Sequence, residues 1–226
     1  MINVRIEGLD ALKAKLAGKA RQIPFAASRA LNATAQKVAE AMPAEIERAI
    51  DKPTPFTKRG VRVLKYANKA NLSATVGFMA AQAKYMLLQI AGGVRHPGSG
   101  GLRLPGAIKV NEFGNIPKGL IAQLLAVANN ERKLGKVKAR RVQISNKVEL
   151  FYGDPTDQGG KKYPRGIYKR VVQNGRHILI PLIVFPSTPA KYKPRFDFQR
   201  KAAAIVAAEW PRQFDAALAD ALRTAR

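Results

Sequence analysis

The sequence contains no cysteine among its 226 residues. Disulfide bonds, thiolate metal ligands and cysteine nucleophiles are therefore all excluded. A chain without cysteine fits a protein that is made and used in a reducing compartment. The first ten residues, MINVRIEGLD, show no basic stretch followed by an apolar run. We therefore expect no secretory signal.

Long apolar runs are also missing. The longest, ILIPLIVF at residues 178–185, is interrupted by Pro181 and is far shorter than the ~20 residues of a membrane span. We therefore expect a soluble protein with no membrane partner.

Aromatic residues make up only 7% of the chain, whereas hydrophobic residues reach 46%. Most of the apolar content should then lie on closely packed helix faces rather than in a bulky core.

Acidic residues are absent from residue 52 to residue 111, a stretch that contains ten cations. The formal net charge of +25 is concentrated in the middle of the chain. Residues 52–194 contain 26 Lys and Arg against five Asp and Glu, whereas residues 1–51 contain eight against six and residues 195–226 contain six against four. A positive field of this size is expected to face phosphates or an acidic protein surface.

The densest basic run is RKLGKVKARR at residues 132–141, with six cations in ten residues. We identify the following residues as candidate contacts to the DNA backbone or to an acidic partner: Lys58, Arg59, Arg62, Lys65, Arg132, Lys133, Lys136, Lys138, Arg140 and Arg141. No base-reading motif is present, so any DNA contact should have no sequence preference. Tyr152, Tyr163 and Tyr168 alternate with cations and would suit stacking on single strands, although tyrosine in strands is at least as often ordinary sheet packing.

Periodic patterns predict the secondary structure. Apolar steps of three and four indicate helices at 9–22, from Pro24 to about Ile50, at 80–91, at 118–132 and at 195–223. We expect a kink or a break at Pro43 and at Pro211. Alternating residues indicate a hairpin at 61–66 and 72–78, and strands at 148–152, 167–172 and 177–185, the last one bulged or partly at an edge because of Pro181.

These elements predict one α+β domain spanning residues 1–226. Long amino- and carboxyl-terminal helices, at 9–50 and 195–223, should pack on a mostly antiparallel β-sheet. The β-rich, basic middle, 52–194, should carry extended basic loops.

Residues able to carry catalysis are few. The only histidines, His96 and His177, would need support from sparse carboxylates to hold zinc. Asp154 and Asp157, with Glu149, leave a metal-dependent nuclease open, but the two aspartates are more simply turn-formers. No G-x-S-x-G motif occurs, and the glycine-rich stretch 94–106 lacks the Gly-Lys-Ser/Thr of a phosphate loop. We expect neither an enzyme nor a bound cofactor.

Four motifs occur in a distinctive order. Residues 23–38 read IPFAASRALNATAQKV and residues 116–124 read IPKGLIAQL. Residues 166–171 read GIYKRV, and residues 177–202 read HILIPLIVFPSTPAKYKPRFDFQRKA. In this order they resemble the lambda-like minor tail protein Z family, the tail-completion proteins of long-tailed bacteriophages. The resemblance covers about half of the chain, and residues 92–111 and 131–162 lie outside it.

Particular residues match the motifs of that family. In that family, a strand with the pattern G-[IV]-[YW]-x-R precedes an apolar strand, which is followed by a turn with the pattern P-x-Y-x-x-R-[FA]-x-F and a last helix. The long proline-initiated helix of the family contains the pattern R-A-[IL]-N. The resemblance implies that the matching residues define the fold or the contacts between subunits. They are Arg29, Leu31, Asn32, Tyr168, Arg170, Tyr192, Arg195, Phe196 and Phe198.

The resemblance implies a structural virion protein at the head-proximal end of the tail, assembled in the host cytoplasm. It implies a homo-oligomer, as a hexameric ring. The implied partners are tail-terminator, head–tail connector, and tape-measure or tail-tube proteins, with possible backbone contact to the genomic DNA. The residues alone leave an alternative open, a stand-alone, sequence-nonspecific nucleic-acid-binding protein.

Overall fold

The computed structural model describes residues 2–5, 22–98, 102–130, 149–156, 160–173 and 175–224. It contains helices near both ends and antiparallel sheets, so the α+β prediction is confirmed. The elements in chain order are β1 (Ile2–Arg5), α1 (Ile23–Ala49), α2 (Pro55–Lys58), β2 (Val61–Lys65), β3 (Ser73–Phe78), α3 (Ala80–Ala91), β4 (Gly93–Arg95), β5 (Leu104–Pro105), α4 (Leu120–Asn130), β6 (Glu149–Gly153), β7 (Gly166–Gln173), β8 (Arg176–Val184), β9 (Ala190–Tyr192) and α5 (Phe198–Thr224).

Both long helices contain an internal proline. Helix α1 continues through Pro43 and helix α5 through Pro211, so a break at either position is wrong, and a kink there stays a prediction. A proline inside a helix costs about 3 kcal/mol because it removes a hydrogen bond and crowds the preceding turn. In α1, Met42 and Ile46 are both fully buried on either side of Pro43. Burial of such side chains contributes about 1.5–3 kcal/mol each, enough to offset that cost.

The helix predicted for residues 9–22 falls almost entirely outside the described residues. Only its last residue, Gln22, is described, and it lies immediately before α1.

The chain forms two compact units, which we call unit 1 (Met1–Gly93 and Tyr192–Arg226) and unit 2 (Val94–Lys191). The prediction of a single domain stays a prediction. In unit 1, α1 and α5 pack along each other. Their contact includes the buried alanines Ala26, Ala30, Ala217 and Ala221, whose small side chains allow the helices to approach closely.

The sheet of unit 1 has the strand order β1-β3-β2, with both pairings antiparallel. Helix α1 packs on β2 and β3, and α3 packs on β3. The predicted hairpin and the helix at 80–91 are therefore confirmed. The core of this unit joins α1, the hairpin, α3 and the start of α5, and its buried residues include Leu31, Val38, Met42, Ile46, Val61, Val76, Met86, Phe196 and Phe198.

Unit 2 contains an antiparallel sheet of order β5-β8-β7-β6, with α4 packed on β6 and β7. Its buried core consists of Leu124, Ala128, Leu150, Ile167 and Ile183. Strands β4 and β9 form a further two-stranded sheet.

The register between β7 and β8 shifts beside Pro181. Ile167 is opposite Ile183, whereas the next residue, Tyr168, is opposite Pro181, so Leu182 is the extra residue of a β-bulge. The expectation that Pro181 would bulge this strand is confirmed. A bulge accommodates proline because the ladder is already interrupted at that point.

Candidate functional site

Four of the candidate basic residues lie on unit 1, on α2 and β2 or directly between them. The Nζ atom of Lys58 lies 2.6 Å from Oε1 of Glu47, so this charge is already paired. Arg59 donates its Nε–H to the carbonyl oxygen of Pro55. Arg59, Arg62 and Lys65 are exposed, and no carboxylate of the described residues lies within ion-pair distance of them. These three cations are therefore available to a partner.

Strand β2 is an outer strand of its sheet. Val63 is opposite Val76 and Lys65 is opposite Thr75, so Leu64 forms a bulge. A bulge together with charged side chains is a common protection against the addition of another strand. This edge is therefore suited to contacts through its side chains rather than through its backbone.

The exposed apolar side chains of unit 1 occur in the same part of the sequence as the three unpaired cations. All five of its exposed large hydrophobic residues in the described chain lie inside the acid-free stretch 52–111, and each is 44–58% exposed. They are Phe56, Leu64, Tyr66, Met79 and Leu87. Exposed apolar side chains and unpaired cations within one acid-free stretch of sequence have the composition of a protein-binding surface. We call this set, with Arg59, Arg62 and Lys65, the hairpin surface.

In α1, the residues matched by the resemblance hold the fold of unit 1. Leu31 is fully buried. Asn32 exchanges two hydrogen bonds with the backbone of Ala67. Arg29 forms an ion pair with Asp220 of α5, and hydrogen bonds from Arg223 and Arg29 lower the pKa of that aspartate.

The turn before α5 is held by α3. The carbonyl oxygen of Gln89 accepts hydrogen bonds from the backbone N–H groups of Arg195 and Phe196, at 2.7 Å and 3.0 Å. Phe196 and Phe198 are buried and contact each other and Phe78, with ring centroids 5.5–6.4 Å apart.

The end of α3 meets this turn at a glycine. Gly92 ends α3 with a φ of 71°, and a β carbon there would lie 2.9 Å from the carbonyl oxygen of Tyr192. The positive φ and the nearby carbonyl oxygen of Tyr192 therefore require glycine at this position.

In unit 2, Tyr168 and Arg170 lie on β7. Tyr168 is 2% exposed and donates its hydroxyl hydrogen to the carbonyl oxygen of Pro164 at 2.6 Å. Burial, followed by the charge of Asp154, raises the pKa of this phenol. Arg170 forms an exposed ion pair with Glu149 at 3.0 Å. Of the tyrosines considered for stacking, Tyr168 is therefore a core residue.

Unit 2 also contains a cleft of about 900 Å³. Its half-buried lining side chains are Ile121, Leu125, Tyr152, Tyr163 and Phe185, and its exposed ones include Arg103, Asp154, Thr156, Lys162, Arg165 and Ser187. The rings of Tyr152 and Phe185 meet edge to face with centroids 6.2 Å apart. The lining thus combines an apolar floor with an exposed rim of three cations and one carboxylate.

The carboxylates of the nuclease hypothesis do not converge in the described structure. Glu149 begins β6 and Asp154 follows its end, about 16 Å apart along the strand. Each is paired with an arginine, Glu149 with Arg170 and Asp154 with Arg165. Asp157 lies outside the described residues. Across the described ranges, no group of three or more His, Asp or Glu side chains could hold a metal ion.

The basic run at 132–141 lies outside the described residues. This applies to six of the candidate contacts: Arg132, Lys133, Lys136, Lys138, Arg140 and Arg141. In the part of the chain that is described, no helix has the length and apolar character needed to cross a bilayer.

Comparison of the chain with protein-family models, with curated proteins and with solved structures finds no match.

Proposed function

We propose that this chain is a structural protein of a bacteriophage tail. It forms a ring at the head-proximal end of the tail, completes the tail and helps to join it to the head–tail connector near the DNA end. The ordered motifs at both ends of the chain support this proposal. The residues that match those motifs hold helices, strands and turns together, as expected of fold-defining positions in a structural protein.

The composition of the hairpin surface is the strongest support for this proposal. A virion protein has permanent protein partners, and interface cores are enriched in aromatic residues, Met and Arg and depleted of acids. Phe56, Tyr66, Met79 and Arg62 on the hairpin surface have this composition. By contrast, in the described part of unit 1 all the exposed large hydrophobics lie outside α1 and α5, which pack on each other. We therefore assign the subunit or neighbour contact to the hairpin surface rather than to the terminal helices.

The proposed partners follow from this assignment. Copies of the chain assemble into a hexameric ring, and the ring contacts the tail terminator, the head–tail connector, and tape-measure or tail-tube proteins. Residues 132–141 supply contacts to an acidic neighbour or to the backbone of the genomic DNA. The ring is made in the host cytoplasm and remains in the virion.

Charge reversal on the hairpin surface tests the proposal. Arg62→Glu combined with Lys65→Glu should abolish assembly into rings or particles while the monomer stays folded. Arg212→Glu combined with Lys193→Glu is the matched control, because both residues are exposed in unit 1 outside the acid-free stretch. The control should assemble normally. Normal assembly of the Arg62/Lys65 variant, or equal loss in both variants, would contradict the proposal.

A stand-alone protein that binds nucleic acid without sequence preference is the second candidate. The unpaired charges of Arg59, Arg62 and Lys65 favour it, because such cations can neutralise phosphates. It predicts binding to any duplex that weakens by orders of magnitude between ~50 and ~200 mM salt. Absence of duplex binding at low salt would remove it.

A further inference from the structure

The cleft of unit 2 has an apolar floor that includes aromatic rings. Tyr152 from β6 and Phe185 after β8 contact each other, and Ile121 and Leu125 of α4 complete the floor with Tyr163. These side chains are half-buried, so their rings are partly accessible from the cleft. Base-stacking surfaces in proteins that bind single strands consist of such aromatic side chains.

The rim of the cleft is held in place by backbone and ionic contacts. The guanidinium of Arg165 donates two N–H groups to Oδ2 of Asp154, at 3.2 Å and 2.8 Å. An arginine has five N–H donors, so three remain for another acceptor. The Tyr163 N–H donates to the carbonyl oxygen of Pro155 at 2.8 Å, and the backbones of Thr156 and Lys162 form an antiparallel β-bridge. These bonds fix the positions of Lys162 and Tyr163 beside Asp154.

The charge balance of the rim favours an anion. Arg103, Lys162 and Arg165 face one carboxylate, Asp154, which Arg165 already engages. Among the described residues no carboxylate pairs with Arg103 or Lys162. The whole of unit 2 carries 18 Lys and Arg against five Asp and Glu, so its field attracts polyanions to the cleft.

We propose that this cleft binds single-stranded nucleic acid, with a base stacked on Tyr152 and phosphates on Arg103, Lys162 and Arg165. The volume of about 900 Å³ lies within the ~300–1,000 Å³ range of small-ligand sites, so the cleft accepts a short stretch of strand. We expect a duplex to bind poorly, because its bases are stacked on one another and cannot stack on the aromatic floor of the cleft. Binding needs only the purified protein, so the inference does not depend on a role in the phage tail.

The test is fluorescence anisotropy with a labelled ten-residue oligothymidylate at low salt. Tyr152→Leu keeps an apolar side chain but removes the ring, and should weaken binding about tenfold, since stacking contributes ~1–3 kcal/mol per base. Tyr152→Phe should restore it. Arg103→Ala combined with Lys162→Ala should weaken binding at least about tenfold more than the control Lys193→Ala combined with Arg212→Ala, which removes the same charge from exposed positions of unit 1. Thermal unfolding checks that each variant is folded.

Three competitors complete the test. An abasic oligomer and a duplex of equal length should compete poorly, and thymidine monophosphate should compete only at much higher concentration. Equal binding of the abasic oligomer would overturn the stacking, and equal binding of the duplex would indicate a backbone surface instead. Equal competition by the mononucleotide would make the cleft a free-nucleotide site. Equal losses in the rim variant and the unit 1 control, or no effect of Tyr152→Leu, would also overturn the proposal.

Discussion

Asn32 of α1 forms two hydrogen bonds with the backbone of Ala67, a residue 35 positions further along the chain. Its Nδ2 atom donates to the Ala67 carbonyl oxygen at 3.0 Å, and its Oδ1 atom accepts from the Ala67 N–H at 2.7 Å. Ala67 is buried just after β2 ends, where strand pairing no longer satisfies its backbone. The side chain therefore replaces a strand partner and ties the hairpin to α1.

Replacing Asn32 with alanine should lower the free energy of unfolding by about 2–3 kcal/mol, because it leaves two buried backbone groups without partners. Urea denaturation at neutral pH measures this difference. Gln36→Ala is the matched control on the same helix, since Gln36 is exposed and bonds only to Glu40. The control should change stability by less than about 0.5 kcal/mol. Equal losses in the two variants would show that the Ala67 contacts contribute little.

An ion pair between α1 and α5 makes stability depend on pH. Lys201 lies 2.7 Å from Glu45, and its hydrogen bond is the main cause of the lowered pKa of that glutamate. A carboxyl group whose pKa is lowered by folding stabilises the protein above its unfolded-state pKa, and this contribution is lost as the pH falls through the folded-state pKa.

Lys201→Ala should therefore cost about 0.5–1 kcal/mol near pH 7, because Lys201 is partly exposed and Arg48 still pairs with Glu45, and the cost should shrink as the pH falls below the ordinary glutamate range. Denaturation midpoints measured from pH 7 to pH 3 check this. Arg200→Ala is the control, because Arg200 lies on the same helix as Lys201 and pairs with the exposed Asp197, which precedes that helix. A Lys201→Ala effect that stays constant over this range would rule out Glu45 as its cause.

Gly166, at the start of β7, has no room for a side chain. A β carbon there would lie 2.7 Å from the Ile183 carbonyl oxygen and 2.8 Å from the Tyr168 ring. Gly166→Ala should destabilise unit 2 by about 1–3 kcal/mol, the usual cost of overpacking. Hydrogen exchange of the β7 and β8 amides measures this locally. Gly98→Ala, where nothing lies within 4 Å, should leave exchange unchanged. Normal exchange in Gly166→Ala would mean that the sheet adjusts at little cost.

Local patterns predicted most of the elements in the described ranges. The alternation of apolar and polar residues in β2, β3 and β7 and the apolar stripe of α1 involve residues close together in the sequence. They could therefore be predicted from the sequence directly. The bulge at Leu182 followed from a single proline. The break at Pro43 was wrong because a buried stripe extends across it, and this burial depends on α5 and the hairpin, which the local pattern does not include.

The candidate sites were harder to predict than the elements. The Asn32–Ala67 contact and the cleft both join residues far apart in sequence. Arg103, for example, precedes a strand that pairs with β8, and Arg165 precedes the strand on the other side of β8. No spacing rule brings these two arginines together. The sequence did indicate Tyr152 and Tyr163, because tyrosines alternating with cations suit stacking, but it could not separate them from the buried Tyr168.

The position of this chain in a virion tests the central claim most directly. Electron cryo-microscopy of purified tailed particles, with the density of this chain sought relative to the portal, the tail tube and the DNA end, gives this position. We expect a hexameric ring at the head-proximal end of the tail, with Arg62, Met79 and Leu87 at contacts between subunits or with a neighbouring ring. Absence of the chain from purified particles, or its presence only at the distal tip, would contradict the proposed tail ring.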